Sequence, residues 1–199
     1  QWLRGIAALL VVFTHFSGKA FSVNMISFQF SKGSIGVDIF FIISGFIMMY
    51  VASRKKQVPS NFLKNRAIRI LPLHYLFLFP LFLVFIFKPE VINSSVDKTY
   101  VWQSFLLIPI ARDNAEYLNS VIWTLCYEAM FYIIFSISLY FSNLSRSFIF
   151  TSAVIFLISV VGWFYKGSSP FITAVTDGIS LEFVMGMVLF VLYKKGLLK

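Results

Sequence analysis

The sequence predicts an all-α, polytopic membrane helix bundle, and three observations predict it. Of the 199 residues, 59% are hydrophobic and only 13% are charged, whereas a soluble domain is nearer a quarter charged. Phe alone occurs 25 times, too many to hide in one soluble core of this size. The apolar residues are also gathered into runs close to the roughly 20 residues that a helix needs to cross a bilayer.

About six spans can be read in order. The first covers about residues 2–16 and is followed by a polar, mixed loop. The second covers 34–52, in GSIGVDIFFIISGFIMMYVA, where Gly33, Gly36 and Gly45 supply small surfaces for close helix packing. The third covers 71–87. A long loop follows, and within it WQSFLLIPIA (102–111) is apolar but only ten residues long, which suits an interfacial or re-entrant piece better than a span. The fourth, fifth and sixth spans cover about 121–141, 148–165 and 178–193. Trp123 suits an interfacial aromatic belt, and His74, beside Pro72, reads as interfacial too. Cys126 lies in an apolar run, where packing is its natural role; as the single cysteine it has no internal disulfide partner.

The net charge of +9 does not point to nucleic acid, because the basic residues sit in short connections between apolar spans. Arg54, Lys55, Lys56, Lys64, Arg66 and Arg69 lie between the second and third spans with no acid among them. Placing them in the cytosol puts eleven of the 17 basic residues inside and six outside: Lys19, Lys32, Lys88, Lys98, Arg112 and Lys166. Glu90, Asp97, Asp113 and Glu116 then fall outside. Both visible ends are expected on the cytosolic side. The chain begins at Gln1 and ends just after a span, so it reads as a single transmembrane domain, truncated at the C-terminus and by a few residues at the N-terminus.

Ionisable residues inside a span are costly and mark reaction sites or pathways. Arg4 and His15 are eleven residues apart in LRGIAALLVVFTH, three turns plus roughly 20°, so they share one helix face about 16 Å apart along the axis. An imidazole is suited to taking a hydroxyl proton near neutral pH, which makes His15 a candidate general base. The alternative is a buried His bonded to a neighbouring helix. Asp38 and Glu128 fall in the outer parts of the second and fourth spans, and Asp177 and Glu182 in the outer part of the sixth. Asp38 and Glu128 suit orienting and charge-balancing a His, or interhelical hydrogen bonding as protonated acids, and Glu128 equally suits binding a hydroxyl of an acceptor. Arg66 and Arg69, at i and i+3 with Lys64 beside them, share a helix face and match the geometry of phosphate. They equally suit anionic lipid. No zinc-type ligand cluster, nucleophile elbow or phosphate-binding glycine loop is present.

Taken in order, these strings resemble the acyltransferase-3 family, bacterial membrane proteins that O-acylate surface and secreted polysaccharides. LRGIAALLVVFTH is similar to the family's first-helix motif and GVDIFFIISGFIM to its second. FLKNRAIRILPLHY resembles its cytosolic Arg-x-x-Arg motif. WTLCYEAMFY resembles its Trp-Ser-Leu-x-x-Glu pattern, with Thr124 at the Ser position, and LEFVMGM resembles a later helix.

The resemblance implies about ten spans in a whole member, a place in the bacterial inner membrane, and no permanently bound cofactor. It implies acyl-CoA, usually acetyl-CoA, as donor substrate, and a polysaccharide or lipid-linked glycan hydroxyl as acceptor. It matches Arg4 and His15 to an essential pair, Arg66 and Arg69 to the cytosolic pair, and Glu128 to the acid of the fourth motif. A transporter or flippase for a glycan or small anion is the competing expectation, since buried charge and a basic vestibule serve that role as well. Such a transporter should show paired Gly- or Pro-broken helices, and no such pairing is visible.

Overall fold

A computed structural model describes residues 2–28, 30, 33–89, 100–110, 117–119, 121–141 and 143–198. Among them the regular structure is helical: α1 (Trp2–Ser22), α2 (Ser34–Arg54), α3 (Pro59–Phe87), α4 (Val101–Leu106), α5 (Ile122–Ser138), α6 (Leu144–Phe164), α7 (Pro170–Val175) and α8 (Leu181–Lys194), with a 3₁₀ turn at Gly178–Ser180 before α8. Five stretches are long and apolar enough to cross a membrane: α1, α2, α3, α6 and the run from Pro170 to Lys194. The expected fourth span is the shorter apolar helix Ile122–Ser138. The chain is thus a multi-pass membrane protein. The expected charges at Lys32, Glu90, Asp97, Lys98, Arg112, Asp113, Glu116 and Lys199 lie outside the described residues.

Contacts divide the chain into two compact units, residues 1–54 with 181–199, and residues 55–180. In the first, α2 packs on both α1 and α8. Lipid tails are as apolar as Leu, so apolar side chains alone give helices little reason to associate there. Close backbone approach through small residues supplies the packing instead. The glycines of the second span do this. A Cβ at Gly36 would meet the Ala7 carbonyl oxygen of α1, and one at Gly33 would overlap Thr14. On the other face, a Cβ at Gly45 would overlap the Phe183 carbonyl, and one at Gly186 would overlap that of Ile42. Around this crossing Phe41 stacks on Phe183 with centroids 4.5 Å apart, and Phe46 meets Phe190 edge-on at 5.6 Å. These pairings run in the same direction along both helices, so α2 and α8 are parallel. The loop after α1 folds back: Phe30 donates its N–H to Ser17 Oγ at 3.1 Å, and its ring meets Phe13 edge-on.

In the second unit, α3 has 29 residues, about 43 Å at 1.5 Å per residue, against about 30 Å of hydrocarbon. Of the basic residues between the second and third spans, Lys64, Arg66 and Arg69 therefore lie in the first turns of the same helix, whereas Arg54 ends α2 and Lys55 and Lys56 fall between the two helices. Pro59 starts it, following Val58 in extended backbone, the position where a missing N–H costs nothing. Asn143 and Ser169 cap α6 and α7 with their side chains, accepting from Ser145 N and Ile172 N.

The short apolar piece after the long loop is held against α3 and α5. His74, expected at the interface, is buried instead, and its Nε2 donates to the Ser104 carbonyl at 3.0 Å. Tyr75 Oη donates to the Phe105 carbonyl, and Ser104 Oγ accepts the Leu118 N–H at 3.1 Å. Tyr117 Oη donates to the Ile108 carbonyl at 3.0 Å and accepts the Ile110 N–H at 2.8 Å. Burial raises the Tyr117 phenol above its ordinary value, which keeps that donor proton in place. Leu78, Ile110, Tyr117, Leu118, Ile122 and Cys126 close a core beneath it, and Cys126 has the packing role expected of it.

Two stability experiments follow from this packing. Gly45→Val and Gly186→Val should each lower the stability of the detergent-solubilised protein by about 1–3 kcal/mol or more, because backbone cannot yield to the added methyls. Gly5→Ala, whose new Cβ meets nothing within 4 Å, should change it by less than about 0.5 kcal/mol. Ser104→Ala strands the Leu118 N–H and should cost about 1–3 kcal/mol. Limited proteolysis should show it as earlier cleavage between residues 100 and 118; an unchanged digestion pattern would contradict the docking.

Candidate functional site

The polar residues of the first unit are set by α1 and α2. Arg4 is half-buried; its Nη2 donates to Ser44 Oγ at 3.2 Å, and its guanidinium lies 5.5 Å from the Phe40 ring centre. An Arg in an apolar helix needs such company, a hydrogen-bond acceptor and an aromatic face. Ser44 is fully buried, so its hydroxyl is supplied from inside the packing. His15 is exposed, three turns further along α1, and Asp38 is half-buried in the second turn of α2. The Gly33–Thr14 and Gly36–Ala7 contacts fix the register of the two helices. That register puts Asp38 between the level of Arg4 with its partners and the level of His15. Among the described residues no hydrogen bond or ion pair joins His15 to Asp38.

In the second unit, Glu128 is 4% exposed, and Tyr132, one turn later on α5, donates its hydroxyl to Glu128 Oε1 at 2.5 Å. The Arg66 guanidinium lies over two rings, 5.5 Å from Phe62 and 5.8 Å from Tyr132. Phe62 and Tyr132 meet edge-on at 6.0 Å, and Ser136 Oγ donates to the Pro59 carbonyl at 3.1 Å, which ties the start of α3 to α5. Arg66 Nε is buried without a hydrogen-bond partner among the described residues. Arg69 and Lys64 are exposed nearby on the same helix. A half-buried guanidinium beside two exposed cations is suited to an anion that approaches from the exposed side.

The structure thus places Arg4, His15 and Asp38 in one unit, and Lys64, Arg66, Arg69 and Glu128 in the other. Asp177 belongs to the second and does local structural work: its Oδ1 accepts the Ile179 N–H at 3.0 Å and its Oδ2 the Tyr127 hydroxyl at 3.3 Å. Glu182 is half-buried in the first turn of α8, in the first unit. Trp123 packs edge-on against Tyr127 at 6.1 Å and against the core under α4. Thr124 Oγ1 donates to the carbonyl of Val121, the residue that precedes its own helix.

Sequence reasoning missed Ser44, Tyr127 and Tyr132. Tyr132 had a local signal, since it stands four residues after an acid on one helix and such pairs face each other. Ser44 and Tyr127 had none, because their partners are 40 and 50 residues away.

A family model described as an acyltransferase domain matches residues 1–199. The exopolysaccharide production protein ExoZ of Rhizobium meliloti (strain 1021) is 29% identical over 182 residues, which is 84% of this chain and 53% of that protein. The chain therefore spans about half the length of the curated relative it matches. No solved structure matches it.

Proposed function

On the premise that this chain belongs to the acyltransferase-3 family, we propose that it moves an acyl group, acetyl above all, from acyl-CoA to a hydroxyl of an exported or lipid-linked polysaccharide. The observation that carries this reading is the family match across residues 1–199, which takes in every motif named above. The relative's name, an exopolysaccharide production protein, supports the class of acceptor. The excess of Lys and Arg between the second and third spans supports a place in the bacterial inner membrane with the basic side and both visible ends in the cytosol.

The donor's phosphates bind Arg66, Arg69 and Lys64; the guanidinium of Arg66 is held by the two rings beneath it. His15 takes the proton of the sugar hydroxyl as its oxygen attacks the thioester carbonyl carbon. The carbon–sulfur bond then breaks, the ester remains on the sugar, and the CoA thiolate takes the proton back from the imidazolium. Arg4 supplies fixed positive charge on the helix that carries the base. Asp38 and Glu128 orient and balance the groups that change charge. Membrane lipids surround the spans, and the domain works as a single acyltransferase unit.

His15→Ala should reduce transfer of labelled acetyl from acetyl-CoA to cell-surface polysaccharide by about 10²–10⁴-fold, the usual worth of a general base, at unchanged abundance of the protein in membranes. Arg66→Ala should instead raise KM for acetyl-CoA. Transfer that persists unchanged in His15→Ala would remove the mechanism. A wild-type protein that transfers nothing, but carries an intact solute across the membrane in an Arg4-dependent way, would make it a transporter.

A further inference from the structure

Arg66 and Glu128 stand on different helices, and one side chain touches both. Tyr132 donates to Glu128 Oε1 at 2.5 Å through its hydroxyl, and its ring lies 5.8 Å from the Arg66 guanidinium. Tyr132 and Glu128 are each 4% exposed, and Phe62, the other ring under Arg66, is 2% exposed. Phe62 meets Tyr132 edge-on and also packs on Phe135 at 5.5 Å. Phe131 backs Tyr132 at 5.9 Å. A ring hemmed in this way has little rotameric freedom. Its hydroxyl is therefore delivered to the carboxylate from a fixed direction, and its face is offered to the cation from a fixed place.

We propose that Tyr132 is a positioning residue that couples the anion-binding Arg66 to the acid Glu128, its hydroxyl holding the carboxylate and its ring forming one wall of the guanidinium's seat. The inference rests on the acyltransferase reading and deepens it. The two functions of Tyr132 are chemically separable. Phe keeps the ring and loses the hydroxyl, whereas Leu loses both. The hydroxyl acts on the carboxylate, so its loss is felt in turnover. The ring acts on the cation, so its loss is felt in the capture of acyl-CoA.

The test measures acetyl transfer from acetyl-CoA to exported polysaccharide in membranes containing the full-length protein, per mole of protein, for the wild type, Tyr132→Phe, Tyr132→Leu, Glu128→Gln and the Tyr132→Phe/Glu128→Gln pair. Tyr132→Phe should lower kcat by about tenfold or more, the loss expected when a buried acceptor is left without its donor, and leave KM for acetyl-CoA within about twofold. Tyr132→Leu should raise that KM as well. The double variant should be no slower than Glu128→Gln alone, because the hydroxyl works through that carboxylate. Wild-type kcat in Tyr132→Phe, or losses that multiply in the pair, would overturn the proposal while leaving the acyltransferase reading intact. A wild type without transfer would overturn that reading, and this one with it.

Discussion

A backbone amide left bare in hydrocarbon costs several kcal/mol, since no water is present to take the bond. Long helices meet that demand within themselves, and most of this chain does so. The described residues around α4, 100–110 and 117–118, do not: α4 has six residues and ends at Leu107 in the left-handed region with φ 52°. Their free carbonyls and amides are met by side chains, His74 for Ser104, Tyr75 for Phe105, Tyr117 for Ile108 and Ile110, and Ser104 for Leu118. This explains why a His sits in the middle of an apolar helix. Its task is to let an irregular segment lie against α3.

The same solvent explains the glycines. Apolar side chains gain little by leaving lipid for one another, so close packing has to supply the attraction. α2 carries small residues on two faces, Gly33 and Gly36 toward α1 and Gly45 toward α8. One helix therefore organises the first unit, and the register it imposes on α1 sets the relative depths of Arg4, Asp38 and His15.

Charges within this setting are used sparingly, and the two best-placed arginines are seated alike, each over aromatic rings. They differ in their polar company. Arg4 donates to the buried Ser44 hydroxyl, which suits a fixed charge. Arg66 lies beside the exposed Lys64 and Arg69, which suits a charge that receives a ligand. Two arginines equivalent in composition thus differ in what they can do.

Apolar run length and the position of basic residues determined much of this protein from the sequence alone. The helical class, the multi-pass character and the packing role of the span-two glycines were legible there, because hydrocarbon thickness and helix periodicity act on local stretches of chain. Helix ends were less legible. α3 begins at Pro59, twelve residues before the apolar run suggests, because a helix continues past the hydrocarbon wherever its residues permit. Tyr132 opposite Glu128 was readable in principle from the spacing of four. The partners of Arg4, His74 and Asp177 were not, since they come from 40, 30 and 50 residues away. Such pairs exist only once helices have packed in a particular register, and that register is a collective property of the backbone surfaces in contact. It decides which histidine braces a neighbouring segment and which stays exposed, a difference that two histidines in similar apolar strings do not carry in their letters.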